Sequence, residues 1–138
     1  MPSGDNLAHV NGDNLTLAVV GTRRSTRHRT TRIPGYLVSH GDVRIWVDAG
    51  SGTLGPLQHH VRLAELNAIW IAYLHADHNA DPLTADYGLL YTDIRLDAPI
   101  PLFGPPGIAD RLAHFLTNAD TRSPVESAFA DDELYDGH

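Results

Sequence analysis

Ala68-Ile69-Trp70-Ile71-Ala72-Tyr73-Leu74-His75-Ala76-Asp77-His78-Asn79-Ala80-Asp81 decides the fold. An unbroken apolar run leads into two imidazoles and a carboxylate at positions 75, 77 and 78, and a helix-type pattern follows. This order predicts a strand over 68–74, covered on both faces, that delivers polar side chains at its C-terminal end, where open α/β sheets place their sites. Imidazole and carboxylate at this density suit a divalent cation of the zinc, manganese or iron type. Such a cation activates water as a nucleophile near neutral pH. A simpler reading is a polar loop whose side chains cap the next helix.

Upstream, Leu15–Val20 reads as a strand closed by Gly21. Residues 22–32 show neither helical nor strand periodicity and read as a long loop. Tyr36-Leu37-Val38-Ser39 and the alternating Val43-Arg44-Ile45-Trp46-Val47-Asp48 form a hairpin across His40-Gly41-Asp42, with Val43, Ile45 and Val47 on one face. Thr53 is placed to cap a short helix carrying Leu54, Leu57 and Val61 on its inner side.

Downstream, Asp81-Pro82 reads as an N-cap followed by proline at the first helical position. Leu83, Tyr87, Leu90, Tyr91 and Ile94 keep amphipathic helical spacing. Ile100–Phe103 is a short strand, and Ile108, Leu112, Phe115 and Leu116 mark a further helix. The organisation expected is a flexible lead-in over 1–13, a folded unit over 14–118, and an acidic tail over 119–138 that ends in an unfinished hairpin at Glu133–His138. Strands alternating with helices predict an α/β chain with a mixed sheet, helices on one face, and one face left without a partner layer.

The chain of 138 residues is long enough for one core. With no cysteine it has neither disulfides nor thiolate metal sites. No apolar run approaches the ~20 residues that span a bilayer. The N-terminus lacks the basic and apolar regions of a signal peptide, so the expected location is cytoplasmic. Net charge is −7, and all ten basic residues are arginine. Five of them (Arg23, Arg24, Arg27, Arg29, Arg32) fall between Gly21 and Pro34. The overall sign argues against non-specific nucleic-acid binding. The local cluster reads either as a solvated loop or as a clamp for a phosphate-bearing ligand.

Tyr73-Leu74-His75-Ala76-Asp77-His78 resembles the HxHxDH signature of the metallo-β-lactamase fold hydrolases. Gly21-Thr22, Ile45–Gly50 and Leu102–Pro105 stand in the matching order around it. Pro34-Gly35-Tyr36-Leu37 and Leu54–Gln58 resemble the ribonuclease Z-like and cyclic-nucleotide phosphodiesterase-like branch.

The resemblance implies the N-terminal βα half of an αββα sandwich whose site holds up to two metal ions, zinc or else manganese or iron. It implies His75 as a ligand of the first ion, Asp77 and His78 as ligands of the second, and Asp77 as the catalytic carboxylate. Asp48 would orient ligands from the base of the site, beside Tyr73. The implied activity is phosphodiester hydrolysis on a small molecule or RNA. Tyr73 stands where the family has its first histidine, and the family's remaining ligands belong to the second half of the fold. The expectation is therefore a truncated, weakly active or inactive hydrolase. A different class of reading is a non-catalytic module that pairs with itself or a complementing chain through an exposed sheet face, or else an incomplete gene product. His59, His60 and His114 read as surface residues, and Tyr87 and Tyr91 as core.

Overall fold

The computed structural model describes residues 7–9, 14–27, 29–72, 74–75, 80–82, 85, 96–115 and 124–135. Their strands are β1 (Leu7–His9), β2 (Thr16–Val19), β3 (Thr22–Thr26), β4 (Arg29–Ile33), β5 (Tyr36–His40), β6 (Val43–Val47), β7 (Ala68–Trp70), β8 (Ile100–Gly104) and β9 (Phe129–Glu133). The described helices are α1 (Leu54–Gln58) and α2 (Ile108–Phe115), with single 3-10 turns at Leu63–Glu65 and Val125–Ser127. Seven strands form one mixed sheet in the order β1-β2-β5-β6-β7-β8-β9, antiparallel as far as β6 and parallel from β6 to β9.

The β5–β6 hairpin forms as anticipated. His40 faces Val43, so Gly41 and Asp42 alone make the turn. Gly41 has φ +55°, which a two-residue hairpin turn demands at its first central position.

Strand register sorts side chains onto two unlike faces. Ala18, Leu37, Trp46, Ile69 and Leu102 lie in one row and are all buried. Leu57 of α1 and Ile108, Leu112 and Ala113 of α2 join the same cluster, so the described helices cover this face. The neighbouring row, Val19, Tyr36, Val47, Trp70 and Phe103, lies on the opposite face and is half-exposed or exposed. Leu17, Val38 and Ile45 extend it. Trp70 and Phe103 stack there at 6.4 Å between ring centres. The shared face of Val43, Ile45 and Val47 is thus the open one, and the core position of β6 is Trp46. The Trp46 indole nitrogen is buried without a hydrogen-bond partner.

Four expectations need correction. Residues 22–32 are not a loop but the antiparallel pair β3–β4, a two-stranded sheet of its own. Thr22, Thr26, Thr30 and Thr31 supply the β-branched positions that favour it. The lead-in contributes β1, whose backbone pairs with the edge of β2. β7 spans Ala68–Trp70 instead of 68–74, and Trp70 leaves one of its faces open. The acidic tail, not expected to join the sheet, contributes β9, a parallel strand on β8 beside the buried Ala128 and Phe129, while the turn expected at 136–138 lies outside the described residues.

The two faces differ in what truncation should cost. Trp46→Ala is expected to lose about 3–5 kcal/mol of stability, and Trp70→Ala about 1 kcal/mol, mostly its stacking on Phe103. Urea denaturation of the two variants measures the difference, and equal losses would contradict the assignment of faces.

Candidate functional site

Parallel strands β6, β7 and β8 end at the same edge of the sheet, and Asp48 and His75 follow the strand ends there. Asp48 follows β6 directly, and His75 lies five residues beyond β7. Asp48 takes φ +54°, a left-handed conformation that aspartate tolerates better than most residues. Its backbone N–H donates to the Trp70 carbonyl at 2.8 Å. Its carboxylate, almost fully buried, accepts the N–H of Ala72 at 2.9 Å. Asp48 therefore ties the exit of β6 to the exit of β7 and aims the chain toward His75, which is exposed at the lip.

A second carboxylate makes the return tie. Asp81 is buried, and its two oxygens accept the N–H groups of Gly52 at 3.0 Å and Leu54 at 2.6 Å. Its own N–H donates to the Ala49 carbonyl at 2.9 Å. Asp81 thus caps α1 from across the site, where the sequence pointed to a cap of its own helix. Thr53, expected to cap α1, makes no such bond; its hydroxyl donates to the Gly50 carbonyl at 2.7 Å. A residue 27 positions downstream does the capping, and no local pattern announces it.

The same edge carries a pocket of about 410 Å3. Trp70, Ile71 and Ala72 line it from β7, Gly104, Pro105 and Pro106 from β8, and Leu134 and Tyr135 from beyond β9. Glu133 shapes its far wall. One carboxylate oxygen accepts the Gly107 N–H at 2.8 Å, at the start of α2, and the other accepts the Tyr135 hydroxyl at 2.9 Å. That bond holds the Tyr135 phenol proton more tightly than usual, so its pKa is raised. Neither Glu133 nor Tyr135 was foreseen in this position, because the tail was read as a separate appendage.

Of the residues singled out in the sequence, the structure places Asp48 and His75 at this edge. Tyr73, Asp77 and His78 lie outside the described residues. Among the described residues, no three His, Asp or Glu side chains are grouped closely enough to hold a metal ion. His59, His60 and His114 are exposed, as anticipated. Tyr87 and Tyr91 lie outside the described residues. No described helix is long and apolar enough to cross a membrane.

A mixed sheet with helices on one face, with Asp48 and His75 beyond the ends of its parallel strands, matches one half of the metallo-β-lactamase fold. Solved structures agree. The metallo-β-lactamase fold protein YhfI from Bacillus subtilis superimposes with a TM-score of 0.64 at 21% identity, over 89% of this chain and 47% of that one. The short form of human tRNase Z gives 0.61 at 21% identity, over 86% and 44%. A diphosphatase of the PhnP family gives 0.56 at 15% identity, over 88% and 51%.

In sequence the chain is similar to a ribonuclease Z. It is 29% identical over 134 residues to ribonuclease Z of Staphylococcus carnosus (strain TM300), spanning 90% of this chain and 42% of that protein. The chain thus spans about half the length of the proteins it matches. No family model matches it.

The two carboxylate ties should be separable by substitution. Asp48→Asn keeps an acceptor and tolerates the left-handed backbone, so its cost should stay below about 1 kcal/mol, whereas Asp48→Ala should cost about 2 kcal/mol. Asp81→Ala leaves the Gly52 and Leu54 N–H groups without their acceptor and should cost about 2–3 kcal/mol. Thermal or urea unfolding of the three variants checks the order.

Proposed function

We propose that this chain is half of a metal-dependent phosphodiester hydrolase of the metallo-β-lactamase fold, acting on an RNA-type substrate. The observation that carries the reading is the position of His75 and Asp48 beyond the shared C-terminal edge of β6 and β7. The similarity to ribonuclease Z supports a ribonucleic phosphodiester as the substrate. A cyclic nucleotide is the alternative substrate of the same chemistry.

His75, Asp77 and His78 would hold the cation, zinc in the first instance or else manganese or iron. Imidazole and carboxylate fit that group of metals, and the cysteine-free chain offers no thiolate. The bound cation supplies Lewis acidity for an attacking water and for the charge that develops on the phosphoryl group. Within the chain, Asp48 fixes the backbone that presents His75, and Asp81 fixes the loop that follows Asp48. Asp77, as the carboxylate of the signature, would accept the proton of the attacking water.

Tyr73 is central to how active this half is. A neutral phenol is a weak ligand for zinc beside imidazole, and catalytic zinc sites ordinarily have three protein ligands. With a phenol in place of that imidazole, metal binding and turnover are expected to be weak. Tyr73→His is expected to raise zinc occupancy, measured by elemental analysis after dialysis. It should also raise turnover of an activated aryl phosphodiester. Unchanged occupancy would show that residues 73–78 do not form a metal site in this chain.

A second reading is favoured by the open sheet face. Val19, Val43 and Trp70 are each 44% exposed on it. Apolar area of that kind marks a partner surface. The occupant that fits is a complementary half-fold, supplied by a second polypeptide or a second copy of this chain. Light scattering should then report a dimer, or the chain should bind a hydrophobic dye. A dye-silent monomer would count against it.

A further inference from the structure

We propose that the β3–β4 ribbon is an arm that grips the sugar–phosphate backbone of RNA and holds it against the lip of the site. The inference rests on the RNA reading above for its choice of polyanion, and on the ribbon itself for the rest.

The charge is concentrated and not neutralised within the ribbon. Five of the ten arginines of a chain with net charge −7 lie between residues 21 and 34, a stretch that holds no Asp or Glu. The register sets Arg23 opposite Arg32, Arg24 opposite Thr31, and Thr26 opposite Arg29. Like charges directly opposite each other weaken a two-stranded pair, and a hairpin built only for stability would set an acid across from an arginine. Arg27, at the tip, and Arg32 are exposed. Guanidinium groups interleaved with Thr and Ser hydroxyls match the oxygens of a phosphate chain. The stretch has no Phe, Tyr or Trp on which a base could stack, so the contact would be with the backbone and independent of sequence.

The ribbon is also in the right place. β2 ends and β5 begins at the same edge of the sheet where β6 ends, since Val19 faces Tyr36 and Tyr36 faces Val47. The neck is rigid. The N–H groups of Val20 and Gly21 both donate to the Gly35 carbonyl at 2.9 Å. A Cβ on Gly21 would stand 2.4 Å from the Ile33 carbonyl oxygen, and one on Gly35 would stand 2.5 Å from a Thr53 methyl carbon. Gly50 donates to the Pro34 carbonyl at 3.3 Å, which joins the neck to the loop after Asp48. The base of the arm is therefore tied to the loop that follows Asp48 and is held by Asp81.

The test is fluorescence anisotropy with a short labelled single-stranded RNA of mixed sequence, titrated at several salt concentrations in EDTA. Because the assay needs neither metal nor turnover, failure of the hydrolase reading leaves it interpretable. With all five arginines in contact, binding should weaken by about 100-fold between 50 and 200 mM salt, and each arginine lost should lower the slope of log K against log salt by about 0.7.

Replacing Arg23, Arg24, Arg27, Arg29 and Arg32 with Gln should abolish most binding, while Arg111→Gln on α2 should change nothing. Arg27→Glu and Arg32→Glu, at exposed positions, carry the test if the fivefold variant does not fold. Each should weaken binding several-fold, and Arg27→Lys should preserve the slope. Unchanged affinity and slope in the folded variants would overturn the proposal. So would poly-glutamate competing as well as an unlabelled RNA of equal charge.

Discussion

Two buried carboxylates, crossed over the gap between adjacent parallel strands, hold the candidate site in shape. Parallel strands cannot be joined by a tight turn, so the chain leaves β6 and β7 in loops whose N–H groups need acceptors. Asp48, at the end of β6, takes the N–H of Ala72 beyond β7. Asp81, beyond β7, takes those of Gly52 and Leu54 after β6. Each loop thus depends on the other for its hydrogen bonds. Together with Thr53 they are the buried polar side chains among the described residues, and Thr53 acts with Asp81 on the loop after β6. His75 stands on one of the two loops so joined, and the neck of the β3–β4 ribbon leans on the other.

The unlike faces of the sheet give the second constraint. One row of side chains is sealed under α1 and α2, and the next row is apolar yet meets water. The chain spans about half the length of the proteins it matches. The sequence announced the open face only indirectly. The alternation of Val43, Ile45 and Val47 looks like a core-facing set by itself. What reverses it is Trp46, whose size and full burial make it the residue around which the helical layer packs.

Much of the fold was legible because it rests on local signals. The β5–β6 hairpin, the short strand at 100–104 and the helix at 108–115 follow from turn residues and periodicity. The Arg-rich stretch was misread because charge obscured the β-branched threonines that make it a ribbon. β9 was displaced because its partner, β8, is distant in sequence. At the site, Asp48 and His75 were legible from their place after apolar runs. The roles of Asp81 and Glu133 were not, since each reaches a backbone group more than twenty residues away, and a carboxylate carries no mark of a distant partner.

The two tryptophans stand on opposite sides of one thin sheet, Trp46 sealed and Trp70 in contact with water. An indole's emission colour follows the polarity around it. Whatever settles on the open side alters the light from Trp70 alone, while Trp46 keeps a constant signal from the interior. The molecule therefore carries an indicator and its internal reference back to back, and occupancy of its bare side can be followed without attaching a label.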